Sequence, residues 1–271
     1  MVSFRIVTDS TIDMPADIAQ NIEIVPAHVY VGIAEFLDKV NFTIDNVREI
    51  SEKGLKIRTS APSVKDWMRA CEKIGKELPI LIMTLGTAFS GAYNSAKVAA
   101  KMLERKGYRV HVFDTHNSSI ASGMMVEHAY KKSLAGQAVA EVIDDLKKLR
   151  DRVRLYLVVA DLESTARSGR MPKILGKLGS ALKIHPIFKV ENGVPKIWKI
   201  LRGMGKVVDT LEAIAPTSRR IFLGKAGESK WADDLEERLR AKNSKVVTIP
   251  ADPAIAAHFG IGSFGISFIE D

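Results

Sequence analysis

The sequence predicts an α/β protein in which a three-layer N-terminal domain with a parallel sheet, residues 1–152, precedes a C-terminal α+β domain with a mixed sheet, residues 153–271. Short apolar runs alternate with helix-forming segments up to about Leu149, which is typical of βαβ units. Beyond that point the alternation weakens, and Asn192-Gly193 stands between two apolar runs. An Asn-Gly pair in this setting indicates a hairpin, so antiparallel strands are expected in the second domain.

Residues 78–100 show the βα unit most clearly. The apolar run Ile80–Met83 is typical of a buried parallel strand, a turn with Gly, Thr and Ser follows, and residues 92–100 are good helix formers. Open α/β sheets bind ligands at the carboxyl ends of their strands, and a helix N-terminus favours an anion. Ser90 lies in this turn, where its hydroxyl could cap the helix or donate to a carboxylate or phosphate. The residues alone leave both roles open.

Polar residues also follow other predicted strands. Asp9 and Ser10 end the first strand, at residues 4–7, and Asp114 with Thr115 ends the strand at residues 109–113. One such cluster would be a helix cap, but several in register are typical of the rim of a binding site.

The remaining elements follow from the same signals. Ser63 is expected to cap a helix, so Thr59 and Ser60 before it are not needed for capping. Asp13 suits the cap of a helix whose first turn holds Pro15. Further strands are predicted at residues 22–31, 154–159, 184–190, 196–200, 219–224 and 245–249, and further helices at residues 43–50, 124–134, 162–182 and 230–242. Residues 257–268 are predicted as a glycine-rich turn that leads into the last strand.

Composition narrows the class of protein. With 271 residues, 46% hydrophobic and 27% charged, the chain is typical of a globular protein with a substantial core. Its apolar runs stay below the roughly 18 residues of a membrane span, so no stable membrane insertion is expected. The single cysteine, Cys71, excludes an intrachain disulfide and a cysteine-based metal cluster. The N-terminus has no secretory apolar region, and we expect a cytoplasmic protein.

The net charge of +8 is unevenly distributed. Between Lys147 and Lys206 there are 15 Lys and Arg residues against 4 Asp and Glu, whereas the rest of the chain holds 25 against 28. One face is therefore expected to be basic, and it could meet an acidic protein, a phosphate, a lipid surface or nucleic acid. A lysine-rich solvated surface explains the same count.

Two function classes remain as alternatives at this point. A phosphotransferase or hydrolase would use Asp9, Asp114 and His258 on a small substrate, but the sequence has no Walker A loop, no HExxH and no GxSxG elbow. A nucleic-acid-binding protein would use the basic segment, where Trp198 is the only tryptophan and no helix-turn-helix, RNP or zinc pattern occurs. His258, between Ala257 and Phe259, could equally be a core histidine.

Several of these motifs together resemble the DegV family of fatty-acid-binding proteins, whose α/β fold is related to dihydroxyacetone kinase domains. Residues 8–15 resemble its opening TDSTxDxP, residues 59–63 its TSxPS, and residues 90–96 its SGTYxSA. The resemblance continues through Asp114-Thr115, Ser168-Gly169-Arg170, residues 183–187, Arg202-Gly203 and residues 258–265, so it covers nearly the whole chain. Ala92, Ser168 and Ile261 depart from the family pattern.

The resemblance implies that the chain is not an enzyme, that it needs no metal and no cofactor, and that it holds one long-chain fatty acid in an internal tunnel. The carboxylate would be bound by Thr59, Ser60, Ser90 and His258, with Asp9, Ser10 and Asp114 at the rim. In the better-known bacterial members of the family, a separate fatty-acid kinase phosphorylates the bound carboxylate. Arg170 and Arg202, both in family-like motifs of the basic segment, are expected to face such a partner, and no nucleic-acid partner is expected.

Overall fold

The computed structural model describes residues 2–171 and 184–270. The elements of the first half are β1 (Arg5–Asp9), α1 (Ala16–Ala19), β2 (Glu23–Val25), β3 (His28–Val31), β4 (Ala34–Leu37), α2 (Ile44–Glu52), β5 (Ile57–Ser60), α3 (Val64–Ile74), β6 (Ile80–Thr84), α4 (Ala92–Glu104), β7 (Val110–Asp114), α5 (Ser119–Leu134) and α6 (Val139–Arg150). Those of the second half are β8 (Val153–Val158), α7 (Leu162–Ser168), β9 (Ile184–Glu191), β10 (Val194–Arg202), α8 (Met204–Ile214), β11 (Ile221–Lys225), α9 (Lys230–Lys242), β12 (Val246–Pro250), α10 (Pro253–Phe259) and β13 (Phe264–Ile269).

These strands form three sheets. A parallel sheet has the order β2-β1-β6-β7, and a small antiparallel sheet has the order β4-β3-β5. The third sheet, β10-β9-β8-β13-β11-β12, is mixed because only β11 and β12 run parallel. The predicted fold class is therefore confirmed, with the small antiparallel sheet as an addition to it.

The two large sheets are stacked with helices between them and on both outer faces. One face of the parallel sheet packs on α3 and α4 through residues such as Ile82 and Trp67. Its other face contacts α5 and α6, which also cover one face of the mixed sheet at Leu155 and Phe222. Helices α8 and α9 cover the opposite face of the mixed sheet. The layer of α5 and α6 therefore belongs to one core that crosses residue 152, and the domain boundary stays a prediction.

Local signals placed most elements correctly. Thr43 and Ser63 each accept a hydrogen bond from the backbone three residues on, and Asn46 and Asp66 return it, so α2 and α3 begin with capping boxes. The hairpin at Asn192-Gly193 is also present, with Asn192 at φ 51° and Gly193 at φ 77°.

Three expectations were wrong in detail. The strand at residues 22–31 is two strands, because Pro26 lies between β2 and β3 and has no N–H for a ladder. Asp13 does not cap α1, whose N-cap residue is Pro15. Residues 257–259 are the end of helix α10 and not a turn, since Asp252 caps this helix and Pro253 occupies its first turn.

The helix predicted at residues 162–182 is confirmed for Leu162–Ser168 as α7, and its remainder from residue 172 lies outside the described residues. Residue 183, the first of the motif at residues 183–187, lies outside them as well.

Candidate functional site

A cavity of about 300 Å³ lies at the carboxyl ends of β1 and β6, where the parallel sheet meets the small sheet and helix α10. All four residues expected to hold a carboxylate line this cavity, although they come from distant parts of the chain. Two further residues line the same cavity: Asp9, which was expected at the rim, and Arg170, which was expected to face a partner. The six residues are Asp9, Thr59, Ser60, Ser90, Arg170 and His258.

Thr59 and His258 form the contact that joins the two halves of the chain in this cavity. The Thr59 Oγ1 and His258 Nε2 atoms are 2.7 Å apart. Thr59 is placed by β5, and His258 by the last turn of α10. Burial, reinforced by the nearby charge of Arg170, lowers the pKa of His258 to about 4, so its ring is neutral near pH 7. A neutral ring that donates from Nε2 leaves the Thr59 hydroxyl free to donate to a bound anion.

Ser90 stands at the start of helix α4. Its Oγ accepts a hydrogen bond from the Ala92 N–H at 3.2 Å, and Gly91 is the N-cap residue. The Ser90 hydroxyl therefore serves the helix as an acceptor and keeps its own proton for a ligand, so the two roles that the sequence left open are compatible. The first N–H groups of a helix lack intrahelical partners, which adds to the preference for an anion here.

Asp9 also lines the cavity, but its carboxylate is occupied by the backbone. Its Oδ2 accepts from the Leu85 N–H at 3.0 Å, and its Oδ1 accepts from the N–H of Thr11 at 3.2 Å and from the Thr11 hydroxyl. Burial raises the pKa of Asp9 although these bonds oppose the shift. Asp9 therefore holds the loops after β1 and β6 together at the cavity wall.

Ser10 and Asp114 are not among the residues that line this cavity. The Ser10 hydroxyl donates to Asp38 at 2.6 Å and accepts from the Ala27 N–H at 3.0 Å, so both of its roles are structural. Asp114 accepts from the His116 N–H at 2.9 Å. Their rim positions, expected from the polar ends of successive strands, stay a prediction without support from the cavity geometry.

Arg170 and Arg202 occupy different places. Arg170 follows α7, lines the cavity and donates to the Ser168 carbonyl oxygen at 2.5 Å. Arg202 is exposed at the end of β10, the edge strand of the mixed sheet. Only Arg170 can therefore act on a charge inside the cavity at short range.

A second, apolar cavity of about 30 Å³ adjoins the first and shares three lining residues with it, Ser118, Ile255 and Phe259. It lies between α5 and the mixed sheet, where Gly224 and Gly265 leave the sheet face without side chains. A Cβ atom on Gly224 would come within 3.1 Å of Ile120 on α5. The two glycines thus provide apolar space that leads inward from the polar cavity.

Ser118 is a cavity residue that no sequence pattern singled out. Its Oγ is buried and has no hydrogen-bond partner within the described residues, and it stands where the two cavities meet. It belongs to the polar cluster after β7, but that cluster alone could not show which member faces the cavity.

The arrangement suits binding better than catalysis. Of the three residues that an enzyme would have used, Asp114 is absent from the cavity lining and Asp9 is held by the Leu85 and Thr11 N–H groups, while the His258 ring bonds the Thr59 hydroxyl. Within residues 2–171 and 184–270, no group of three His, Cys, Asp or Glu residues could hold a metal ion. In the same part of the chain, no helix combines the length and the hydropathy needed to cross a membrane.

Fold and site together define a class: an α/β protein with hydroxyl and imidazole groups around a polar cavity that continues into an apolar core. The model of the DegV family matches residues 3–271, and the chain belongs to the DegV family.

Relatives and solved structures agree with this membership. A DegV domain-containing protein of Staphylococcus aureus strain N315 is 27% identical over 278 residues, which cover 98% of each chain. A fatty-acid-binding DegV family protein from Thermus thermophilus has a TM-score of 0.89 at 26% identity, with 100% of both chains covered. The Fatty Acid Kinase (Fak) B3 protein of Streptococcus pneumoniae, loaded with linoleic acid, shares the fold with a TM-score of 0.87 at 23% identity, covering 99% of this chain and 100% of the other.

Proposed function

We propose that this protein binds one long-chain fatty acid and presents its carboxyl group to a fatty-acid kinase, without being an enzyme itself. The carboxylate would lie in the polar cavity beside Thr59, Ser60, Ser90 and His258. The acyl chain would enter the apolar space next to Gly224. The contact between Thr59 and His258 at 2.7 Å carries this proposal, because it places donors from both halves of the chain in the polar cavity, which opens into the apolar one.

The acyl chain and the carboxylate of the ligand contribute differently to the binding free energy. Burying an acyl chain of about sixteen carbons contributes on the order of 12 kcal/mol before the costs of binding, at roughly 0.8 kcal/mol per methylene. A hydrogen bond to the carboxylate contributes about 1.5–3 kcal/mol. The chain therefore dominates affinity, whereas the hydroxyls set the orientation and compensate the buried charge.

An apolar space of about 30 Å³ has room for roughly two water molecules and not for a long acyl chain. Binding therefore requires side chains such as Ile120 and Phe259 to move apart. The described core offers such freedom on the face of the mixed sheet that carries Gly224 and Gly265, because at these two positions the sheet has no side chain to pack against α5.

Two measurements test the proposal. Denaturing extraction of freshly purified protein, followed by lipid mass spectrometry, is expected to recover fatty acids. The thermal midpoint of delipidated protein is expected to rise on addition of palmitate or oleate, because a ligand that binds only the folded state stabilises it. Recovering no lipid together with no thermal shift would refute fatty-acid binding.

Replacing Arg202 and replacing Arg170 are expected to have different effects on lipid binding. We expect Arg202→Glu to leave fatty-acid affinity unchanged and to slow acyl-phosphate formation by a cognate kinase, more strongly at low than at high salt. Arg170→Glu is expected to weaken both steps, because Arg170 lines the cavity. Paired lipid-binding and kinase-coupled assays at two ionic strengths measure this. Unchanged turnover in Arg202→Glu would rule out its docking role.

A further inference from the structure

Helix α10, which carries His258, is too short to hold its own position. It has seven residues, and an isolated helix of that length is not stable in water. The Asp252 Oδ1 atom caps it by accepting from the N–H groups of Ala254 at 2.7 Å and Ile255 at 3.2 Å. Since capping does not orient a helix in the fold, the position of His258 depends on contacts made to α10 by other elements.

Two carboxylates from the N-terminal half make such contacts at the start of α10. The Asp13 Oδ1 atom accepts from the Asp252 N–H at 2.9 Å, and the Asp38 Oδ1 atom accepts from the Ala254 N–H at 3.1 Å. Asp13, Asp38 and Asp252 are all buried. Each is favourable at a helix N-terminus, but three carboxylates without a cation would repel one another strongly in a buried place.

Lys39 supplies the cation. Its Nζ atom lies 3.2 Å from Asp252 Oδ2 and 3.5 Å from Asp13 Oδ1, and it donates to the Ser10 carbonyl oxygen at 2.7 Å. The backbone of Lys39 has φ 61°, a left-handed conformation that residues other than glycine rarely adopt. Such a conformation persists where the surrounding structure holds it, and here it places the ammonium group beside the carboxylates.

The small sheet contacts α10 at both of its ends. β4 leads into Asp38 and Lys39 at the start of the helix, and β5 carries Thr59, which bonds His258 near its end. Both strands pair with β3, so the two contacts come from one sheet and the turn that follows its strand β4. His258 lies six positions after Asp252, which is about 9 Å along a helix. A shift at the first contact would therefore be transmitted to the second.

We propose that Lys39 is a positioning residue: together with Asp13, Asp38 and Asp252 it clamps the start of α10 to the small sheet and so sets the place of the His258 ring opposite Thr59. The inference rests on the proposed function, in that the ring must be in place to meet a carboxylate.

The test compares a fatty acid with the alcohol of the same chain length. Lys39→Met is expected to weaken palmitate binding about tenfold or more, because misalignment at the His258 ring costs about as much as one hydrogen bond to a charged group. The affinity for hexadecanol is expected to change less than twofold. Lys39→Arg, which keeps the charge, is expected to restore palmitate binding. Lys53→Met is the matched control, because Lys53 is exposed and pairs only with Glu49 on its own helix among the described residues.

Asp252→Asn is a second variant for the case that Lys39→Met does not fold. Asparagine is also a good N-cap residue, so the helix start is kept while the charge that meets Lys39 is removed. The same selective loss of palmitate affinity is expected. In ligand-free protein, the NMR signal of the His258 ring should shift in both variants and stay unchanged in Lys53→Met.

The outcomes separate this inference from the proposed function. If the unaltered protein bound neither palmitate nor hexadecanol, fatty-acid binding itself would be wrong. If it bound both, and Lys39→Met or Asp252→Asn lost both ligands equally or neither, with an unmoved His258 signal, the positioning role would be overturned.

Discussion

His258→Ala is expected to bind palmitate about 5- to 150-fold more weakly than the unaltered protein, which corresponds to about 1–3 kcal/mol. The reason is that the Thr59 hydroxyl, which is expected to donate to the buried carboxylate, loses the 2.7 Å partner that holds it in place. Ser90→Ala is expected to have an effect of the same size, because the proton of its hydroxyl is free for a ligand while its oxygen serves the Ala92 N–H. Isothermal titration with delipidated protein measures both.

Control ligands and a control variant show whether the loss of palmitate affinity comes from the carboxylate. Methyl palmitate and hexadecanol carry no carboxylate, so their affinities should change much less in the same variants. His185→Ala is the matched histidine control, because His185 is half-buried in β9 and is not among the residues that line either ligand cavity. If acids and esters lost affinity equally, the two residues would shape the cavity and would not hold the carboxylate.

Gly224→Val is expected to reduce the preference for long over short acyl chains about 60-fold. The added side chain would point at Ile120, whose Cγ2 atom already lies 3.1 Å from the place of a new Cβ, and would fill the apolar cavity. Excluding about three methylenes from burial costs roughly 2.4 kcal/mol, which is about 60-fold in affinity. The ratio of the dissociation constants for palmitate and octanoate, measured by titration, reports this directly.

Gly205→Val serves as its control, because nothing lies within 4 Å of a Cβ at Gly205 on α8. Thermal unfolding of both variants shows whether the substitution also strains the core, where Gly224 is buried in β11. A palmitate-to-octanoate ratio unchanged in a folded Gly224→Val protein would mean that the acyl chain lies elsewhere.

Features that depend on residues close in sequence were predictable. The capping boxes at Thr43 and Ser63 and the hairpin at Asn192-Gly193 each involve partners no more than a few residues apart, and side-chain chemistry alone favours them. The buried strand Ile80–Thr84 and the ligand-binding end of the parallel sheet follow from apolar runs and polar strand ends. The sequence by itself therefore determined the fold class, and the family motifs pointed to Thr59, Ser60, Ser90 and His258.

Only the tertiary structure decided which of these polar groups meet. Thr59 and His258 are 199 positions apart, and their contact depends on how α10 packs on the small sheet. Asp13 suits a cap by its sequence position, yet it accepts from Asp252, because a buried carboxylate takes whichever N–H the packed elements bring to it. The Ser10 hydroxyl donates to the Asp38 carboxylate for the same reason. Hydrogen bonds between distant segments are set by sheet order and helix packing, which no local pattern encodes.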